Sequence, residues 1–431
     1  MTQAAAVAAR RKIGDLYTRL RDGELADPLR RDPWHWPVLV CWSVCWLNMM
    51  ISLTKQGRGW DPSWHFAARG AHLLFHSVSG QGGGLSLFAH HPSLQSGPLT
   101  FILAAPITTM GGQQGLYAAQ LIMMGMGLLV LLILERAAFA YRTDVTASRI
   151  HWTVLGGGMA LLPIWSMAFV YWGHFDDALA LLFSAFALWA VATRRPLLVG
   201  VCLALAIDSK PWAAAFLALL LAVPGGWSWR EPRLRALGLV AILVAGCCLP
   251  FVIADPQTLT SLSHFSIPNA PDSALRALGV HTPGTPRWDR AAQVLLGCVL
   301  GAVAIWRRRW PAILLLGVCA RLILEPGNYP YYYAGLAVGA MAWDLLVSKR
   351  PGPVFTISVL AVMIGLVSLA GAASMRGQVK LWAMIGMVLV VLVGPAVRCR
   401  ARRVGRFEWV VPTALPAESA SAEKVLAYHG N

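Results

Sequence analysis

The chain has 431 residues, 57% of them hydrophobic and 13% charged, with a net charge of +16. A soluble domain carries about a quarter charged residues, so this composition excludes an ordinary soluble enzyme and indicates a polytopic membrane protein. The positive balance is expected from basic loops beside anionic lipid rather than from nucleic-acid binding, because no stretch interleaves basic and aromatic side chains.

Residues 1–36 form a basic N-tail with no apolar core. No cleavable leader is therefore expected, and the first apolar segment is read as an uncleaved anchor. Apolar segments follow at roughly 38–53, 98–110, 115–134, 152–171, 177–192, 196–207, 211–224, 235–254, 291–306, 310–325, 329–347, 353–372 and 381–397. Segment 98–110 contains Pro106 and is shorter than the ~17–25 residues a span needs. Charge decides its fate. If it does not cross, the N-tail, Arg136–Arg149, Arg194/Arg195, Arg230–Arg235, Arg307–Arg309, Lys349/Arg350 and the tail from Arg398 all share one side, as the positive-inside rule requires.

The expected fold is an all-α polytopic membrane protein with about twelve transmembrane helices plus external juxtamembrane helices. The multi-pass domain is expected to cover 37–397, and 398–431 is expected to be a basic, disordered cytoplasmic tail. Both termini are expected on the cytoplasmic side, with the protein in the plasma membrane. Residues 54–114 form a large external region and 255–290 a second external loop. None of the cysteines falls in an external loop, so no disulfide framework is expected.

This topology collects His and Asp outside. In "GRGWDPSWHFAARG", Asp61 precedes Pro62 and suits an N-cap; it also suits a base that takes a proton from an incoming hydroxyl, with His65 one turn on. In "FAHHPSLQSGPLT", His90, His91, Gln95 and Ser96 form either a plain helix entry or a donor-rich lip for a sugar or phosphate. In "YWGHFDDALA", Asp176 and Asp177 cap a helix or face a substrate, and His174 with Asp176 is spaced to share a divalent metal, which is not required. In "LALAIDSKPW", Lys210 sits at a broken hairpin between two short segments, where an ammonium needs Asp208, a lipid phosphate or water beside it. In "ARLILEPGNYPYYYAG", Arg321 pairs with Glu325 or grips a phosphate, while Tyr331, Tyr332 and Tyr333 read as an aromatic belt or a sugar platform.

Taken together, Asp61, "HPSLQSGPLT", "GHFDDALALLFSAFALWA" and "RRPLLVGVCLALAIDSKPW" resemble the C-type (GT-C) glycosyltransferases, most of all family 87, the polyprenyl-phosphate-mannose-dependent mannosyltransferases. The resemblance covers most of 55–350. After Asp61 the chain reads "PSWHFAARG" where the family form is Asp-x-x-Val-Tyr. The resemblance implies transfer of a hexose, mannose first, from a polyprenyl-phosphate donor to a lipid or glycan acceptor on the extracytoplasmic face. It implies Asp61 as catalytic base and Lys210 near the donor phosphate. Arg321 and His91 join the expected phosphate set, and His65, His90, Gln95, His174, Asp176, Asp177 and Tyr332 the expected substrate set. No cofactor is required. The alternative class is a multi-pass transporter or lipid flippase, for which internal repeats would speak; none is visible in the sequence.

Overall fold

The computed structural model describes residues 35–55, 63–76, 82–225, 228, 230–264, 266–327, 329, 331–366 and 371–394. The N-tail, the C-terminal tail and Asp61 lie outside the described residues.

The architecture is all-α. Among the described residues, six helices are long and apolar enough to cross a membrane. In chain order the helices are α1 His35–Lys55, α2 Trp64–His76, α3 Leu87–His90, α4 Pro98–Thr108, α5 Gly112–Tyr141, α6 Ala147–Trp165, α7 Phe175–Ala192, α8 Pro196–Ser209, α9 Leu219–Ala222, α10 Pro232–Ala254, α11 Gln257–His264, α12 Ala274–Ala277, α13 Asp289–Trp306, α14 Ile313–Ile323, α15 Tyr332–Leu346, α16 Val354–Ala361 and α17 Ala373–Val393. The six long spans are α5, α6 with the turn that follows it, α7, α10, α13 and α17; shorter apolar helices run among them.

Side-chain contacts define two ends of the bundle. At one, Glu135 near the end of α5 meets His151 near the start of α6 at 3.0 Å, and Arg142 donates to the Leu345 and Ser348 carbonyls at the end of α15. At the other lie the starts of α7, α13 and α15 and the ends of α8 and α14. We call these the arginine end and the cavity end.

Helix α4 belongs wholly to the cavity end. It begins where the Gly97 amide and the Thr100 hydroxyl bond to the Ser209 carbonyl, each at 2.9 Å, at the end of α8. It finishes beside α5, where a Cβ on Gly115 would stand 2.9 Å from the Ile107 carbonyl. Helix α2 lies across it, with Gly70 pressed on the Phe101 ring. Eleven residues with Pro106 inside make a helix of about 16 Å, too short for a ~30 Å hydrocarbon core.

Local sequence explains the breaks that build the cavity end. Pro163 withholds a backbone donor in α6, and the helix ends in a π-turn, Ser166–Tyr171. Gly173 follows at φ +69, so close to the Trp64 amide that a Cβ would stand 2.8 Å from it. Pro211 disfavours helical backbone at the residue before it, so α8 stops and Lys210 is extended at φ −146, ψ 113. The chain then returns through a 3₁₀ segment, Pro211–Phe216, before α9. Gly297 and Gly301 of α13 let Ala215 and Ala218 of that return press directly on the helix.

Candidate functional site

Asp176 and Asp177 occupy the first turn of α7, where the helix dipole favours negative charge. The Lys210 ammonium is bonded to Asp176 Oδ2 and lies 3.9 Å from Asp177 Oδ2. Ser96 donates to the same Asp176 oxygen at 2.6 Å, and the Trp212 indole donates to Asp177 Oδ1 at 2.7 Å. Lys210 thus joins α7, the end of α8 and the 93–97 loop through largely buried charges. Asp208 is not its partner. That carboxyl is buried, with Oδ1 unbonded, and its backbone carbonyl closes on Gly97 so tightly that a side chain there would collide.

His174 stands between this pair and the tyrosines. Its Nδ1 is 3.6 Å from Asp177 Oδ2 and its Nε2 3.2 Å from the Ser63 hydroxyl. Its ring overlies Tyr331 with centroids 3.7 Å apart. Burial pulls the imidazole below its usual range, against the two carboxylates that would raise it. One atom each from His174, Asp176 and Asp177 fall within 4.8 Å of one another, a spacing that suits a divalent cation. In this geometry the Lys210 ammonium holds the positive charge on those carboxylates.

Beyond Lys210 opens a cavity of about 140 Å³ whose walls include Gln95, Trp212, Asp289, Gln293, Arg321, Glu325 and Tyr332. Arg321, in the last turn of α14, is bonded to the Tyr332 hydroxyl and donates to Gln293 Oε1 at 3.4 Å. It lies 4.1 Å from the Tyr332 ring centroid and 5.2 Å from that of Trp212, within cation–π range. No carboxylate among the described residues pairs with Arg321, and its Nε is shielded from solvent with no acceptor. The i, i+4 pairing with Glu325 does not form: Glu325 is taken by Lys380 of α17, which also donates to the Gly327 carbonyl at 3.0 Å. Asp289 accepts from Gln293 at 2.8 Å through one oxygen. Its other oxygen, and Oε1 of Glu325, are shielded without a donor.

This arrangement has clear chemical requirements. A guanidinium with an unused donor needs an acceptor, by preference an anion. Shielded carboxylate oxygens need donors, and hydroxyl groups supply them. The cavity therefore suits a molecule that is both anionic and hydroxylated.

Ten of the residues singled out in the sequence meet here: Gln95, Ser96, His174, Asp176, Asp177, Lys210, Arg321, Glu325, Tyr331 and Tyr332. Gln95 reaches the cavity rim and accepts from Arg290 at 2.8 Å. Three stand apart from the cavity. His65 is exposed on α2 against the edge of Phe66. His90 turns to Asp255, 3.6 Å away. His91 ends α3, its amide bonded to the Leu87 carbonyl. Sequence reasoning missed Asp289, Arg290 and Gln293. Asp289 and Gln293 at i, i+4, where a span begins, were the available signal.

Compared with known proteins, the chain matches no protein-family model and no curated protein.

Proposed function

We propose that this chain is a multi-pass membrane glycosyltransferase of the GT-C type. It moves a hexose, mannose first, from a polyprenyl phosphate to an acceptor hydroxyl of a lipid or glycan. In this reading the long and short apolar helices make about twelve crossings. Both termini are cytoplasmic and the cavity opens on the extracytoplasmic side of the plasma membrane, because the arginine end carries the basic loops.

The observation that carries the reading is Arg321, a guanidinium facing a cavity with no carboxylate of its own among the described residues. The donor phosphate is its natural counter-ion, and the orphan oxygens of Asp289 and Glu325 face the hydroxyl groups. Lys210, already neutralised by Asp176 and Asp177, contributes chiefly by fixing the cavity wall.

The reaction follows from these parts. Asp61 takes the proton of the acceptor hydroxyl. The oxygen attacks the anomeric carbon as the bond from that carbon to the phosphate oxygen breaks, and configuration inverts. The electron pair leaves on the polyprenyl phosphate, where Arg321 stabilises the new charge.

Membranes supplied with radiolabelled polyprenyl-phosphate-mannose test this. Wild type should transfer label, and Asp61→Asn should lose about 10²–10⁴-fold in rate. Transfer at the wild-type rate in the variant contradicts the base assignment. An absence of transfer from any lipid-linked hexose contradicts the enzyme and leaves the transporter reading.

A further inference from the structure

The arginine end has a cavity of its own, about 460 Å³, walled by Arg309, Trp343, Lys349, Arg350, Phe355 and Val390, among others. Local sequence opens it. The run "SKRPGPVF" places Pro351 and Pro353 just after α15, so that helix cannot continue. Gly352 turns at φ +78, and α16 starts at Val354. Lys349 and Arg350 are thereby left exposed on the turn between two helices. The third cation, Arg309, follows α13 and is bonded to the Val391 and Gly394 carbonyls at the end of α17.

Charge on these walls does not cancel. One carboxylate, Asp344, stands among three cations. Both its oxygens are bonded already: Oδ1 accepts from the Phe355 amide at 3.2 Å, and Oδ2 accepts from the Thr356 amide and hydroxyl, each at 2.8 Å. Among the described residues no carboxylate pairs with Arg309, Lys349 or Arg350. Neutral carbonyls satisfy the Arg309 donors and leave its charge in place. The depth is that of a membrane surface, because α13, α15 and α17 end here and α16 begins. Beyond Gly394, which also lines the cavity, the sequence carries Arg398, Arg400, Arg402, Arg403 and Arg406. Such a cluster beside a span gathers anionic lipid.

We propose that this cavity binds the head group of an anionic glycerophospholipid from the adjoining leaflet, with its phosphate among Lys349, Arg350 and Arg309. The site is separate from the polar cavity and does not depend on the reading of that cavity. Its volume falls within the roughly 300–1,000 Å³ of pockets that enclose small molecules. Positive excess selects an anionic head group over a zwitterionic one. Apolar walls select a lipid over a free anion, since Trp343, Phe355 and Val390 offer the glycerol and upper chains a surface that a hydrated ion does not use.

Thermal unfolding of the full-length protein in a neutral detergent tests this, with dioleoylphosphatidylglycerol, dioleoylphosphatidylcholine or inorganic phosphate titrated in. Phosphatidylglycerol should raise the unfolding temperature, and the other two should not. Lys349→Gln combined with Arg350→Gln, both at exposed positions, should melt like wild type without lipid and need about tenfold more phosphatidylglycerol for the same rise. Lys349→Glu alone, a charge reversal, should weaken the response as much. An equal rise with phosphatidylcholine, or an unchanged titration in both variants, overturns the site. An equal rise with inorganic phosphate makes the occupant a free anion and overturns the lipid. A response that changes only when the five arginines of 398–406 are replaced by Gln moves the lipid to the tail and overturns the cavity. Arg321→Gln should keep the full response; losing it there would put the phosphatidylglycerol in the polar cavity and overturn the proposal.

Discussion

The two ends of the bundle use the same residue types for different work. At the arginine end, guanidinium groups are consumed by backbone carbonyls where helices stop. Arg142 and Arg149 converge on the Ser348 carbonyl at 3.1 and 3.0 Å after α15. Arg309 is bonded to the Val391 and Gly394 carbonyls at the end of α17. Arg142 also pairs with Asp144 at 2.7 Å, which holds that carboxyl below its usual range. Here arginine satisfies orphan carbonyls and complements the negative end of the helix dipole. At the cavity end the arrangement is reversed. Carboxylates, tyrosines and tryptophans surround the cations, and Arg321 keeps an unused donor. An arginine whose donors are spent on carbonyls holds the fold together; one with a donor left over has the chemistry to take a ligand.

The arginine end also shows how far this fold goes to end helices with positive charge. Arg194 and Arg308 adopt the left-handed conformation, at φ 58 and φ 60, where glycine is usual. Each sits in a closed turn: the Arg195 amide reaches the Ala190 carbonyl at 2.8 Å, and the Arg308 amide reaches Ile305 at 2.8 Å. A non-glycine residue there costs on the order of 1 kcal/mol.

Substitutions separate the two roles. The largest expected effect is on activity. Arg321→Met should cut transfer by about 10²–10³-fold, as loss of a transition-state cation does, and cost about 1–3 kcal/mol of stability through its bonds to Tyr332 and Gln293. Strong destabilisation with normal transfer would place Arg321 with the structural arginines. Next comes Lys210→Met, which strands Asp176 and Asp177 and should cost about 3–5 kcal/mol of stability. Lys210→Met with Asp176→Leu should recover most of that loss on thermal unfolding. Arg309→Gln should cost about 2–3 kcal/mol through its carbonyl bonds and leave transfer within about threefold of wild type. Smallest is the pH effect of His174. Its folded-state pKa lies below the ordinary value, so acidification through the ordinary range protonates the unfolded chain first and stability falls as pH falls. His174→Gln should flatten that dependence in unfolding measured from pH 7.5 to 5.5.

Much of this organisation was legible in the chain before its structure. Hydropathy located the apolar segments, and Pro106 with the charge pattern marked α4 as one that stays at a single end. The "GHFDD" and "SKPW" stretches pointed to Asp176, Asp177 and Lys210 because charges beside apolar runs need partners. The partners themselves were not legible. Lys210 passes over Asp208, two residues away, for Asp176 on another helix, because Pro211 turns its backbone extended. Glu325 passes over Arg321, one turn back, for Lys380 on α17. Local spacing proposes i, i+4 pairs, and long-range packing overrides it. His65 and His90 looked equivalent to His174 in composition, yet only His174 follows the Gly173 turn into the cluster.

In the proposed function, Arg321 holds its place for an anionic head group. Thermal unfolding of the purified full-length protein in detergent, with and without a polyprenyl phosphate, measures it most directly. Saturation at a hundred times Kd should stabilise wild type by about 2.7 kcal/mol. That gain should vanish in Arg321→Gln and be missing with neutral polyprenol. Equal stabilisation by the neutral alcohol, or a full gain in Arg321→Gln, would mean that Arg321 does not bind the head group.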